Sequence, residues 1–121
     1  MIAVFSALPE EIRDLRKGMQ LKKASADLDG RVYEGQCGEK PSLVVLTGMG
    51  KDRTQQVVNA VLATHPVSVM ISTGFGGALN GKTGTGDIVL YAQLRCGVRA
   101  ATAPMVLRSD QRHTPACLVH P

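Results

Sequence analysis

Short apolar runs alternate with helical or turn-forming segments along most of the chain. The runs at 1–7, 42–47 and 67–73 contain few polar residues, which is typical of strands buried on both faces of a sheet. Segments 31–35 and 87–91 are predicted as further strands. Strands that alternate with helices in this way predict an α/β fold.

Two segments have helical spacing. After the first strand, Ser6 is a candidate cap, and Pro9 suits a first helical turn because its missing N–H is not needed there. One face of this helix is marked by Ile12, Leu15 and Met19. A second helix is predicted over 52–64, with Val57, Val58, Val61 and Leu62 pointing inward. Asp29-Gly30 predicts a turn in a hairpin region packed beside the first strand.

The tail after residue 93 has a different character. Residues 95–121 contain four arginines and three prolines and show no clear periodicity. We therefore predict an ordered domain over 1–93. The tail over 94–121 is left unassigned, either irregular or changed by truncation or a frame change in a longer gene.

Composition narrows the classes of protein and partner. Hydrophobic residues make up 44% and charged residues 20%, which predicts a globular domain rather than disorder. The net charge is +4, and its densest cluster is Arg13, Arg16, Lys17, Lys22 and Lys23. This cluster is interpreted as a solvated helix face, with an anionic-ligand patch as the alternative. Because the few aromatic residues are scattered, no nucleic-acid partner is predicted.

Cysteine and histidine give no sign of a metal site. Cys37, Cys96 and Cys117 are far apart and form no CxxC pair, so neither zinc nor a disulfide is indicated, and a reducing cytoplasm fits best. His65, beside a proline, is expected to end a helix. We predict no metal and no cofactor. No apolar run reaches the ~20 residues of a membrane span, and no signal peptide is expected.

Three constellations at strand ends could carry chemistry. Glu10 and Glu11 follow the first strand, where a carboxylate could take a proton from water; the alternative is simple electrostatics at a helix start. Burial would raise the pKa of such a carboxyl group, and the helix dipole would lower it. Segments 47–51 and 73–79 are glycine-rich and provide either close backbone contact with a ligand or tight turns. Phe75 could offer an aromatic face or belong to the core.

Taken in order, these motifs resemble one family. The segments are Ala7-Leu8-Pro9-Glu10-Glu11, Thr47-Gly48-Met49-Gly50-Lys51, Ser72-Thr73-Gly74-Phe75-Gly76-Gly77-Ala78-Leu79 and Gly86-Asp87-Ile88-Val89. The set is similar to the nucleoside phosphorylase and nucleosidase family, in particular the 5′-methylthioadenosine/S-adenosylhomocysteine nucleosidases. The resemblance covers residues 1 to about 91, the N-terminal half of the family fold. It implies a three-layer α/β/α sandwich around a mixed sheet.

The resemblance also implies roles for particular residues. Glu11 would activate the attacking water, and Leu8 and Met49 would lie near the nucleoside pocket. Phe75, Gly76 and Gly77 would line the ribose and base region, although family members have a small residue at the Phe75 position. Phosphorylase relatives have an arginine where this chain has Ser72. Hydrolysis is therefore favoured, since acidic residues would repel phosphate.

The expected function is hydrolysis of the N-glycosidic bond of an adenine nucleoside. Family members carry a ribose-binding glutamate and a base-protonating aspartate in their other half, so this chain alone is expected to be weakly active or inactive. The alternatives are a phosphate-dependent nucleoside phosphorylase and a non-catalytic fragment that binds nucleoside or associates with itself. The expected partners are a small-molecule nucleoside and further copies of the chain, with no membrane contact.

Overall fold

The computed structural model describes residues 1–24, 31–78 and 81–90, and the backbone of 105–107. The chain forms two compact units, Met1–Gly76 and Gly77–Pro121. The first unit contains a five-stranded sheet in the order β2-β3-β4-β1-β5. Its strands are β1 (Ile2–Ser6), β2 (Lys22–Lys23), β3 (Val32–Cys37), β4 (Lys40–Leu46) and β5 (Val69–Ser72). Its helices are a 3₁₀ helix (Pro9–Ile12), α1 (Arg13–Gly18) and α2 (Lys51–Thr64).

The sheet is mixed, as predicted. β1 lies between β4 and β5 and is parallel to both, so that Val4 is opposite Val44 on one side and Ile71 on the other. β3 is antiparallel to β4 and to β2. A strand with parallel neighbours on both sides and helices over both faces needs a continuous apolar sequence, which explains the run at 1–7.

Helices cover both faces of the sheet. Side chains of β1 and β4 alternate between two separate apolar clusters, as the pleat of a strand requires. One cluster contains Ala3, Phe5, Leu43 and Val45 and is closed by Val61 of α2. The other contains Ile2, Val4, Val44 and Leu46 and is closed by Ile12, with Leu15 and Met19 packed against it. The predicted three-layer α/β/α arrangement is therefore confirmed.

Two predictions of burial were wrong. β5 was expected to be a buried strand, yet Met70 is 51% exposed and Ile71 40% exposed. Among the described residues β5 pairs with β1 alone, so one of its edges has no strand beside it. On α2, Val61 is fully buried but Leu62 is 43% exposed. One residue turns a helix by about 100°, which carries Leu62 away from the apolar face.

The predicted hairpin region, which contains β3, does not lie beside β1 as expected. β3 pairs with β4, which separates it from β1. The predicted turn at Asp29-Gly30 lies outside the described residues. Lys22 and Lys23 form a strand rather than part of a helix, while the remaining members of the basic cluster lie on α1 and are exposed. Exposure on α1 fits both the solvated face and the anionic-ligand patch. The guanidinium carbon of Arg16 lies 4.9 Å from the centroid of the Tyr33 ring.

In the second unit, β6 (Ile88–Leu90) pairs in an antiparallel manner with β7 (Met105–Leu107). β6 confirms the strand predicted near 87–91, and β7 shows regular backbone within the stretch left unassigned by the sequence. The domain division at residue 93 stays a prediction. Across the described residues, no helix has the length and apolar character needed to cross a membrane.

Candidate active site

The carboxyl ends of three adjacent strands bring the predicted motifs to one edge of the sheet. The backbone N–H of Thr47, after β4, donates to the carbonyl of Ser6 at 2.8 Å. The N–H of Thr73, after β5, donates to the carbonyl of Phe5 at 2.9 Å. This is the edge at which α/β proteins bind ligands, and the glutamate motif of β1 lies between the two glycine-rich motifs.

Glu11 is the centre of a hydrogen-bond network at this edge. Its Oε2 accepts from Ser6 Oγ at 2.5 Å, from the Ala7 N–H at 3.1 Å and from the Leu8 N–H at 3.0 Å. Its Oε1 accepts from the N–H of Phe75 at 3.2 Å. The side chain thereby joins the end of β1, the start of the 3₁₀ helix and the turn after β5.

Ser6 does not cap the helix, contrary to the prediction. Leu8 occupies the cap position, and Pro9 is in the first turn as expected. The Glu11 N–H donates to the carbonyl of Leu8, and the Leu8 N–H donates back to the Glu11 carboxylate. Because the carboxylate already satisfies the N–H groups at the helix start, the Ser6 hydroxyl donates to the carboxylate instead.

Hydrogen bonds hold the pKa of Glu11 below its usual value. The Ser6 hydroxyl is the main cause; partial burial opposes it, and the backbone N–H groups of Leu8, Phe75 and Ala7 lower the pKa further. Burial raises the pKa, as expected from the sequence, but the hydrogen bonds outweigh it. Donors to the charged form favour that form, so Glu11 is a carboxylate at neutral pH and can accept a proton.

Gly74 is needed for close packing against this carboxylate. A Cβ atom at Gly74 would lie 3.0 Å from Glu11 Oε1, and its nearest other contacts would also be atoms of the same carboxylate. The glycine therefore lets the turn after β5 approach Glu11 closely enough for the Phe75 N–H to bond. This gives the glycine-rich motif a role in arranging the site.

The other predicted site residues are exposed. Leu8 and Met49 have exposed side chains, and Phe75 is 77% exposed. The core interpretation of Phe75 is therefore wrong, and its ring is open to contact. Gly76 ends the first unit and Gly77 begins the second. Among the described residues, a Cβ atom added at either glycine would have no neighbour within 4 Å.

The glycines after β4 support the tight-turn interpretation. Gly48 has φ +73° and Gly50, which precedes α2, has φ +104°. L-residues rarely adopt such angles, so the backbone itself requires glycine at both positions.

No metal site occurs in the described part of the chain: nowhere do three His, Cys, Asp or Glu side chains come close enough to share an ion. His65 ends α2 as predicted, and its Nδ1 lies 2.8 Å from Thr64 Oγ1.

These features define an α/β protein with an ionised carboxylate at the carboxyl edge of a mixed sheet. Residues 1–117 match the family model of the phosphorylase superfamily, and the chain belongs to that family. It is similar to the 5′-methylthioadenosine/S-adenosylhomocysteine nucleosidase of Bacillus thuringiensis, with 24% identity over 94 residues. That match covers 78% of this chain and 41% of the relative, so the chain spans about two fifths of the relative's length.

Solved structures agree with this assignment. The nucleosidase of the same name from Neisseria meningitidis, in complex with methylthio-immucillin-A, is similar with a TM-score of 0.61 and 25% identity. The match covers 73% of this chain and 38% of that one. The Streptococcus pneumoniae nucleosidase, with the transition-state inhibitor MT-ImmA, gives a TM-score of 0.59 and 28% identity over 71% of this chain and 37% of that one.

Proposed function

We propose that this chain carries the water-activating part of a nucleosidase. The substrate class is an adenine nucleoside of the methylthioadenosine or S-adenosylhomocysteine type, as in the names of the similar proteins. The observation that carries the proposal is the Glu11 carboxylate, held at the carboxyl edge of the sheet with Oε1 toward the turn after β5. Leu8, Met49, Phe75, Gly76 and Gly77 are the proposed substrate-binding residues.

In the proposed reaction, Glu11 takes a proton from water as the water oxygen bonds to the anomeric carbon of the ribose. The bond between that carbon and the base nitrogen breaks, its electron pair goes to the base, and the base takes up a proton. General-base catalysis of this kind contributes roughly 10²–10⁴-fold in rate. The family resemblance assigns the acid that protonates the base to a region outside residues 1–91.

Water is a better nucleophile than phosphate for this site. Glu11 is ionised, and the neighbouring Glu10 is an exposed carboxylate on the same 3₁₀ helix. An approaching phosphate would meet the negative charge of Glu11, and Ser72 supplies no positive charge to offset it. We therefore propose hydrolysis rather than phosphorolysis, in the reducing cytoplasm that the cysteine pattern favours.

The direct experiment measures adenine release from methylthioadenosine, with and without phosphate. We expect weak or no release by the 121-residue chain alone, and phosphate-independent release when the remaining part of a family-length nucleosidase is supplied as a second polypeptide. Glu11→Gln should abolish the restored activity, while Glu10→Gln should retain it. Release that requires phosphate would establish the phosphorylase alternative, and robust release by the chain alone would refute its predicted weakness.

The exposed edge of the sheet supports self-association. Met70 and Ile71 are consecutive residues of β5, so their side chains lie on opposite faces, and both are at least 40% exposed. Exposed apolar strands at a sheet edge promote pairing between chains. We propose a homo-oligomer that buries β5. Light scattering should show that Met70→Lys shifts the chain toward monomer, whereas Met49→Lys, at an exposed methionine after β4, does not; a wild-type monomer would exclude the oligomer.

A further inference from the structure

The two oxygens of Glu11 are bound unequally. A carboxylate has about four acceptor positions, two on each oxygen. Oε2 already receives three donors, from Ser6, Ala7 and Leu8. Oε1 receives one, from Phe75. Oε2 therefore receives more donors than its two acceptor positions, whereas Oε1 has room for another donor such as water.

Ser6 is suited to hold this arrangement because it is itself fixed. The residue is buried, with 2% of its surface exposed. Its carbonyl accepts from the N–H of Thr47 at 2.8 Å and from Thr47 Oγ1 at 3.3 Å. The Ser6 hydroxyl thus comes from a strand end that is tied to β4, whereas the Glu11 side chain has several rotatable bonds.

We propose that Ser6 is a positioning residue: its hydroxyl holds Oε2 of Glu11, so that Oε1 is the oxygen that receives the proton of the attacking water. This inference rests on the proposed function. The O–H bond of water breaks, the proton bonds to Oε1, and the water oxygen bonds to the anomeric carbon. The bond from that carbon to the base nitrogen breaks, and its electron pair leaves with the base. Oε2 then becomes the carbonyl oxygen of the acid and still accepts from the same three donors, so the side chain need not move during proton transfer.

The groups that donate hydrogen bonds to this carboxylate within the described residues are neutral. The donors from β1, from the start of the 3₁₀ helix and from the turn after β5 are a hydroxyl and three backbone N–H groups. The nearest charged residue in sequence, Glu10, is exposed. A change in the titration of Glu11 on removal of the Ser6 hydroxyl therefore reports the loss of that one donor.

The test is an NMR titration of the 121-residue chain, which follows the Glu11 carboxyl carbon and the amides of Ala7, Leu8 and Phe75. In the wild type, all three amides should follow the titration of Glu11. In Ser6→Ala, the pKa of Glu11 should rise, and the Phe75 amide should lose much of its response as the carboxylate turns. Ser6→Thr, which retains a hydroxyl, should restore both.

Ser42→Ala is the matched control. Ser42 is equally buried at 2% exposure, but its hydroxyl donates to the Lys40 carbonyl. Ser42→Ala should leave the pKa of Glu11 and the response of the Phe75 amide unchanged. An unchanged pKa and Phe75 response in Ser6→Ala would overturn the proposal. If Ser6→Ala does not fold, Ser6→Cys gives the same comparison, because a thiol is a weak donor of similar size.

Kinetic measurements distinguish a failure of this inference from a failure of the proposed function. In the complemented nucleosidase, Ser6→Ala should lower kcat about 10-fold or more with little change in KM, and the acid limb of the pH–rate profile should move upward. An equal loss in kcat for Ser42→Ala would indicate a merely structural role. Absence of adenine release from every variant would refute the nucleosidase proposal, while the NMR titration would still decide whether Ser6 orients Glu11.

Discussion

The backbone N–H of Phe75 donates a hydrogen bond of 3.2 Å to Oε1 of Glu11, which lies 64 positions earlier in the chain. The bond joins the turn after β5 to the helix that follows β1. Gly74 allows this close approach without crowding, since a Cβ there would lie 3.0 Å from the same oxygen. The contact therefore links two segments of the site that are far apart in sequence.

Gly74→Ala should displace the Glu11 carboxylate. The added methyl group crowds Oε1, so we expect the Phe75 hydrogen bond to weaken, the pKa of Glu11 to rise and the free energy of unfolding to fall by about 1 kcal/mol. NMR titration and urea unfolding measure these effects. Gly76→Ala is the control, because its Cβ would meet nothing within 4 Å. Equal effects of the two substitutions would contradict the close approach of Gly74 to Glu11.

Glu11 should make stability depend on acidic pH. Its pKa is lower in the folded chain than in the unfolded one, so its contribution is complete above the unfolded pKa and is lost as pH falls through the folded pKa. Urea unfolding over acidic to neutral pH should show that the free energy of unfolding falls less steeply toward acid pH for Glu11→Gln than for the wild type. The exposed Glu10→Gln should keep the wild-type slope; identical slopes for all three proteins would exclude the network.

Leu43→Ala should cost about 2–5 kcal/mol of unfolding free energy. Leu43 is buried on β4, where its side chain contributes to the cluster beneath α2. Leu62→Ala, on the exposed side of α2, should change stability by about 0.5 kcal/mol or less. Chemical denaturation compares the two directly, and a large loss for Leu62→Ala would mean that α2 packs through a different face.

Two glycine substitutions should act in opposite directions. Gly50→Ala forces a side chain onto φ +104°, which should destabilise the chain by about 1–3 kcal/mol. Gly18→Ala, in α1 with open space around the added methyl, should stabilise it by about 0.5–1 kcal/mol. Thermal unfolding should place the two variants on opposite sides of the wild type, and a destabilised Gly18→Ala would contradict the helical conformation of that residue.

The hydrophobic pattern predicted four of the five strands in the main sheet and the helical segments beside it, but it missed β2 and not every degree of burial was right. The run at 67–73 predicts a buried strand as the run at 1–7 does, because each contains several consecutive apolar residues. One became β1, with a strand on each side, and the other became β5, with Met70 and Ile71 exposed. Strand order sets burial, and order depends on contacts between segments distant in sequence.

The sequence by itself determined the α/β class, the position of Glu11 after a buried strand and the need for glycine in the turns, because these follow from local patterns. Only the tertiary structure decided that Ser6 donates to Glu11 rather than to a helix end, and that Phe75 supplies a backbone N–H to the same carboxylate. It also decided the direction of the Glu11 pKa. These properties require donors from residues 5 and 64 positions away, which meet only where the ends of β1 and β5 lie side by side.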